Sequence, residues 1–592
     1  MTSASMDPYD VRIRRSWFAR AGLTLLALAG CQAEEPVAVP RSVLLVTVDT
    51  LRADALGCYG SERGATPILD RLAEESVVFD RAFTVAPITL PAHASLFTGL
   101  YPPRHAVRDN GLWPLPKEAR TLAEIASEAG YATGAFVGAS VLDNVFGLGQ
   151  GFDTYRNANV QQSSVVYTSR PADQVVDDAL RWLDEQNDER PFFLWVHLYD
   201  PHAPYEPPAK HAGRREGAEL YFGEVAFADE QIGRLLSRLE RDGRRESTLV
   251  AVTSDHGEAF GEHDEFTHGP YCYDSTLHIP LLLRWPGGAG AGTRDTALVS
   301  LVDLFPTLLG AMDLGVPAAI DGRSFPGADG GDSADRGVYF ESYLGHLSFG
   351  WSPLAGWRDD GGKYLHSSRP QFFAVQDGGI DEGTDDVADQ DVETLRRYRE
   401  EIEAVAARPT LTAVRTAPID ERLLDGLRAL GYAPSGAAPP DVPHPLADTG
   451  LPSPSEQLLE YAFFLRAVAL TQSGDREGAI AVFRRILEGN PNNRYAADQL
   501  GALLVDVGKL REAVPFLEQL VEQGRARSIT LQNLAACYSA LGRADEAIEV
   551  LQRALVLDPG NGAALDGLIR TLRREGRGLE AEPLRTYQRG PR

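Results

Sequence analysis

Val43-Leu44-Leu45-Val46-Thr47-Val48-Asp49-Thr50-Leu51-Arg52-Ala53-Asp54 opens with six strand-forming residues and then delivers a carboxylate. A short apolar run without helical periodicity suits a strand buried on both faces, and such strands lie in sheets covered by helices. Two later runs repeat the pattern. Phe192–His197 leads into Asp200-Pro201-His202, and Leu249–Thr253 leads through Ser254 into Asp255-His256-Gly257. Helical stretches fall between such runs, at Thr66–Glu75 and Val175–Gln186. The alternation predicts an α/β domain over residues 41–375, a sheet sandwiched by helices. Ligands of open α/β sheets bind beyond the carboxyl ends of strands. One Asp after a strand is ordinarily a turn former or a helix cap. Three polar strand ends, two of them with histidine, predict a site.

Thr89-Leu90-Pro91-Ala92-His93-Ala94-Ser95-Leu96-Phe97-Thr98-Gly99 reads as a helix beginning at Thr89, with Pro91 in its first turn and Gly99 at its end. The plain reading of Thr89 is an N-cap. The same geometry also suits a nucleophile, because a helix N-terminus favours an anionic oxygen and a divalent metal favours an alkoxide.

These motifs, with Asp200-Pro201-His202-Ala203-Pro204-Tyr205, Asp255-His256-Gly257-Glu258, His278-Ile279-Pro280-Leu281, Ser300–Leu309 and Asp321-Gly322-Arg323-Ser324, resemble the sulfatase family of the alkaline phosphatase superfamily in order and spacing. The resemblance covers about residues 41–370. It implies an alkaline-phosphatase-like mixed sheet and one divalent metal (Ca2+, Mg2+ or Mn2+, with Zn2+ possible) on Asp49, Thr89, Asp255 and His256. It implies catalytic roles for Thr89, His202 and His268, and contacts from His93, His202 and His268 to an anionic ester.

The sequence departs from the family pattern in several places. Thr50 stands where the second metal aspartate is expected. Thr89 and His93 replace the Cys or Ser and the Arg of the nucleophile motif, and Gly138-Ala139-Ser140-Val141 lacks that region's Lys and His. Oxidation of a threonine gives a ketone, so the formylglycine route is closed. Threonine nucleophiles resemble those of related phosphodiesterases and phosphotransferases. Glu258 and Glu262 read as supporting or solvated carboxylates, Glu341 as a pocket candidate, and His105, Asp109 and Asn110 as wall residues. Cys58 and Cys272 read as small buried side chains.

The chain has 592 residues, a net charge of -27 and 43% hydrophobic residues, which implies several domains and large cores. No basic block follows the N-terminus, so no nucleic-acid partner is expected. Arg12, Arg14, Arg15 and Arg20 precede a short apolar run ending Leu28-Ala29-Gly30-Cys31. This reads as a signal peptide over residues 1–30. It resembles a lipobox, implying an exported bacterial lipoprotein lipidated at Cys31, anchored in the outer membrane and facing the periplasm.

Residues 376–455 read as an acidic and Pro-rich linker with short helices, one at Val392–Ala407. Beyond it, Gly474, Gly508, Gly542 and Gly576 recur every 34 residues, as do Ala479, Ala513, Ala547 and Ala581. That period is the tetratricopeptide (TPR) signature, predicting an all-α solenoid over residues 456–592 with a surface for a protein or peptide partner. Three functions follow: a sulfate- or phosphate-ester hydrolase, favoured; a phospho-group transferase acting on an envelope glycan or lipid; and a non-catalytic TPR scaffold with a degenerate site.

Overall fold

The structure, a computed structural model, describes residues 42–588 apart from 64, 112, 158–168, 187–189, 326–335, 376–391, 413–441, 525, 527 and 558–560. The signal segment, Cys31, the acidic stretch Gln376–Asp391 and most of the Asn157–Tyr167 loop lie outside the described residues. The main sheet contains β1 (Ser42–Val48), β2 (Val77–Phe83), β3 (Ala132–Val137), β4 (Thr154–Arg156), β5 (Phe192–Leu198), β6 (Thr248–Ser254), β7 (His278–Ile279), β8 (Leu281–Arg284) and β9 (Thr293–Ser300). Their spatial order is β4-β3-β5-β1-β6-β8-β2-β7, with β9 beside β2. The centre is parallel and β8 runs antiparallel to β6, so the sheet is mixed.

Side chains alternate along a strand, and β1 uses both faces. Val43 and Leu45 join Ala92, Leu96 and Phe97 of the Thr89–Thr98 helix. Leu44, Val46 and Val48 join Val176 and Ala179 of helix Ala172–Glu185 and Ile232 and Leu235 of helix Leu220–Arg241. Each fully buried aliphatic side chain of this kind contributes roughly 1.5–3 kcal/mol. The sandwich therefore holds β1 rigidly and presents its carboxyl end. Parallel register sets Thr47 opposite His197, and Val48 opposite Ser254. The polar ends of three neighbouring strands thus meet at one edge. Ser254 Oγ locks two of them: its one proton is shared between the carbonyls of Val48 and His256, 2.7 and 2.6 Å away, and its oxygen accepts from Leu51 N at 3.0 Å.

A second, antiparallel sheet follows: β10 (Val338–Ser342), β11 (Leu354–Asp359), β12 (Gly362–His366) and β13 (Gln371–Ala374). The helix expected over 392–407 runs Val392–Ala406. Four helix pairs close the chain: Leu458–Gln472 with Arg476–Gly489, Arg494–Asp506 with Leu510–Glu522, Ser528–Ala540 with Ala544–Leu557, and Gly562–Arg574 with Gly578–Gln588. Gly474, Gly508, Gly542 and Gly576 sit in the turns with φ of +74° to +81°, where a Cβ is strained. Ala479, Ala513, Ala547 and Ala581 are fully buried at helix contacts. Among the described residues, no helix is long and apolar enough to cross a membrane.

Pro40–Arg592 forms one unit, and the first repeats rest directly on the α/β domain. Glu460 accepts from Trp351 Nε1 at 3.2 Å and from Asn493 Nδ2 at 2.8 Å. Asn490 Nδ2 donates to Phe349 O at 2.8 Å. Phe349, Trp351 and Tyr271 pack with Tyr461 and Phe464, so one apolar cluster continues from the sheet into the repeats.

Candidate active site

Helix Thr89–Thr98 aims its N-terminus at the strand ends. Ile88 is the N-cap and Thr89 the first helical residue, so the N-cap reading is corrected by one position. The capping acceptor comes from another segment: Leu90 N donates to Asn110 Oδ1 at 2.8 Å. Gly99 ends the helix at φ +66°. Thr89 is almost fully buried, and its Oγ1 lies 3.4 Å from His256 Nε2.

Asp49, Asp255 and His256 bring one ligand atom each within 4.8 Å of one another. His256 Nε2 is 3.8 Å from Asp49 Oδ1 and 3.5 Å from Asp255 Oδ2. A carbonyl can only accept, so a neutral His256 carries its proton on Nδ1, 3.0 Å from Gly257 O, and turns the lone pair of Nε2 toward the two carboxylates. Both oxygens of Asp49 and Oδ2 of Asp255 have no hydrogen-bond partner among the described residues. Burial and then the neighbouring Asp255 charge push the Asp49 carboxyl well up. Burial opposes the charge on Asp255 too, but His256, His93 and His197 hold it below the ordinary range. Orphaned buried carboxylates beside an imidazole lone pair fit a divalent cation.

The other histidines divide by role. His202 lies 2.7 Å from Ala203 O through Nδ1 and stacks on Tyr199. Burial, followed by His268, pushes it down to about 3, which leaves it neutral. His268 reaches Glu258 Oε1 at 3.1 Å through Nδ1, and Glu258 Oε2 accepts from Tyr205 OH at 3.0 Å. Burial resists the charge of Glu258, yet His268 beside it keeps the carboxyl below its usual range. The His268 ring is 4.5 Å from that of His256 and 5.1 Å from that of His202.

His93, expected against the substrate, is turned into the wall and fully buried. Its Nδ1 donates to Thr89 O at 2.8 Å, so its Nε2 must accept from Thr47 Oγ1 at 3.1 Å. Thr47 Oγ1 in turn accepts from Trp195 Nε1 at 2.9 Å. This directional chain fixes the first turn of helix Thr89–Thr98. Thr50 departs from a ligand role in the same plain way. Its φ is +53°, and its hydroxyl donates to Pro201 O, steadying the His202 loop. Asp200 accepts from Ala172 N at 2.8 Å and caps a helix.

Glu341 is buried against Arg108 and Tyr339 rather than aimed at the site. Glu262 pairs with Arg52 near the surface. His105 packs behind the helix, 2.9 Å from Ser95 Oγ. Two residues gain weight beyond the sequence reading. Asn110 Nδ2 has no partner among the described residues. His197, read only as the end of a strand, is fully buried with its Nε2 3.5 Å from Asp49 Oδ2.

Residues 41–314 match the Sulfatase family model, and residues 461–493 and 504–572 match tetratricopeptide-repeat models. The chain is similar to the ulvan-active sulfatase of Formosa agariphila, at 31% identity over 336 residues, 49% of this chain and 65% of that protein's length. Its fold is similar to the phosphonate monoester hydrolase of Agrobacterium radiobacter, with TM-score 0.51, 24% identity, and 62% of this chain and 95% of that one covered. It is likewise similar to BT4656, solved with its substrate D-glucosamine-2-N,6-O-disulfate, with TM-score 0.54, 19% identity, and 62% and 97% covered. Fold and site together define an alkaline-phosphatase-like α/β domain. Residues 41–314 are thus similar to the sulfatase family, and the C-terminal helices to tetratricopeptide repeats.

Proposed function

We propose that this chain is a metal-dependent hydrolase of sulfate or phosphate esters that works through a covalent ester on Thr89. The observation that carries this reading is the Thr89 hydroxyl at a helix N-terminus, 3.4 Å from His256 Nε2 and beside the orphaned Asp49 and Asp255 carboxylates. Asp49, Asp255 and His256 would hold a divalent cation, with Thr89 beside it, and that cation would lower the pKa of the threonine hydroxyl and neutralise an ester oxygen.

Thr89 Oγ attacks the sulfur or phosphorus in line with the ester oxygen that leaves, and its hydroxyl proton passes to His268. The free Asn110 Nδ2 donates to an equatorial oxygen. His268, backed by the Glu258 carboxylate, delivers the proton to the departing alcohol. Water then attacks the sulfur or phosphorus of the Thr89 ester. His202 or His268 takes its proton and passes it to Thr89 Oγ as the covalent ester breaks, and Thr89 is released with free sulfate or phosphate. An acceptor alcohol in place of water would give a transferase.

Replacing Thr89 with Ala is expected to abolish turnover of aryl sulfates, phosphate monoesters and phosphodiesters while leaving metal content unchanged. Full turnover in that variant would overturn the assignment. The Leu28-Ala29-Gly30-Cys31 string supports export and lipidation at Cys31, and the repeat surface supports a protein or peptide partner; mass spectrometry of the mature N-terminus tests the first.

A further inference from the structure

We infer that His197 is a positioning residue for the metal site, holding Asp49 in the orientation that faces the cation without ligating that cation itself. The inference rests on the metal reading above and deepens it. His197 lies at the carboxyl end of β5, opposite Thr47 of β1. Just beyond that pair, Asp49 N donates to Leu198 O at 2.9 Å, so backbone ties the two strand ends together. His197 is fully buried, and neither ring nitrogen has a hydrogen-bond partner among the described residues. Two unpaired buried nitrogens weaken a fold. An aliphatic side chain of similar volume would pack there without that cost, so packing is not what the imidazole serves.

The neighbours show what it does serve. Two ligand-sized groups meet here among the described residues: Asp49, Asp255 and His256 form one, and His93, His197 and Asp255 the other. His197 therefore stands beside the group that fits the cation and not within it. The second group is not an ion site of its own, because Thr89 O and Thr47 Oγ1 engage both nitrogens of His93. His197 Nε2 is 3.5 Å from Asp49 Oδ2, while the other oxygen, Oδ1, faces His256 Nε2 at 3.8 Å. A carboxylate only accepts, so an N–H of His197 turned to Oδ2 attracts it. At that distance the pull is electrostatic, beyond the length of a formed hydrogen bond. It keeps Oδ2 on the β5 side and leaves Oδ1 for the cation. A partner of this kind beside a ligand tunes metal affinity without touching the ion.

The test uses the full chain, stripped by chelation, as wild type, His197→Gln and His197→Leu. The first variant keeps a side-chain N–H in the place of Nε2, and the second fills a similar volume without one. Competition titration with zinc, manganese, magnesium and calcium gives the affinities, and denaturant titration of the metal-free chains gives their stability. His197→Leu should bind the cation that wild type holds tightest about 10–100-fold more weakly, and His197→Gln should stay within about threefold of wild type. Metal-free His197→Leu should unfold at the same or a higher denaturant concentration than metal-free wild type, because two unpaired polar atoms leave the core. Three results would each overturn the inference and leave the metal reading intact: wild-type affinity in His197→Leu, equal weakening in His197→Gln, or a metal-free His197→Leu less stable than wild type. Failure of wild type to bind any of the four cations would overturn both.

Discussion

Thr47 shows how a single hydroxyl supports the proposed nucleophile from a distance. Its oxygen receives Trp195 and serves His93, which in turn holds the Thr89 carbonyl. Thr47→Val keeps the shape and removes both bonds. It should cost about 1–3 kcal/mol of stability, read by denaturant titration, and lower turnover without removing the metal. Glu224 gives a separate test in pH. Burial, with Asp200 next, pushes its carboxyl up to about 9, and Oε2 has no partner among the described residues. The folded chain then keeps a proton that the unfolded chain releases near pH 4.3. Stability therefore falls as pH rises from there toward 9, the value reached in the fold, and flattens above it. Glu224→Gln should remove that slope, gaining on the order of 2 kcal/mol at alkaline pH. Equal pH profiles for the two proteins would contradict the burial argument. At this scale the sequence exposed Asp49, Asp255 and His256, because each follows a strand. It hid His197, whose place beside Asp49 depends on which strand lies beside β1. It also hid Asn110, whose cap is made to a helix twenty residues upstream.

Helix Thr89–Thr98 depends on how it ends as much as on how it begins. Gly99 lies at φ +66°, and an added Cβ would come within 2.8 Å of Phe305 Cδ1. Gly99→Ala should therefore combine backbone strain with overpacking, costing about 1–3 kcal/mol. Thermal unfolding reads that loss, and turnover should fall with it because Thr89 sits ten residues back on the same rigid rod. Elements of this kind were legible from the chain alone. The Pro91 and Gly99 punctuation placed the helix, and apolar runs placed β1, β5 and β6 to within a residue or two. Strand order was not legible, because a run of Val and Leu carries no label for its neighbour. That is why Asp49, Thr89 and His256, delivered by separate segments, met only in three dimensions.

The whole molecule joins a catalytic sheet to a repeat array through a shared apolar cluster. Tyr461 of the first repeat lies between Tyr271 and Phe349, and its hydroxyl donates to His268 O at 3.4 Å. The array is thus a wall of the loop that carries His268. Tyr461→Ala should cost about 3–5 kcal/mol and lower turnover more than it lowers metal affinity. Ending the chain before residue 456 should expose Trp351 and Phe349 and cause aggregation, seen by light scattering. A soluble truncated protein with full activity would contradict this coupling. The 34-residue period revealed the helix pairs, but a period cannot show which face a neighbouring domain covers.

Covalent chemistry at Thr89 is the claim on which the rest depends, and rapid acid quench followed by peptide mass spectrometry measures it directly. With a metal-loaded chain and an aryl phosphate or aryl sulfate, a phosphoryl or sulfuryl adduct should appear on the peptide holding Thr89, and be absent from Thr89→Ala. Turnover with no adduct on that peptide under any quench time, or an adduct on another residue, would contradict it.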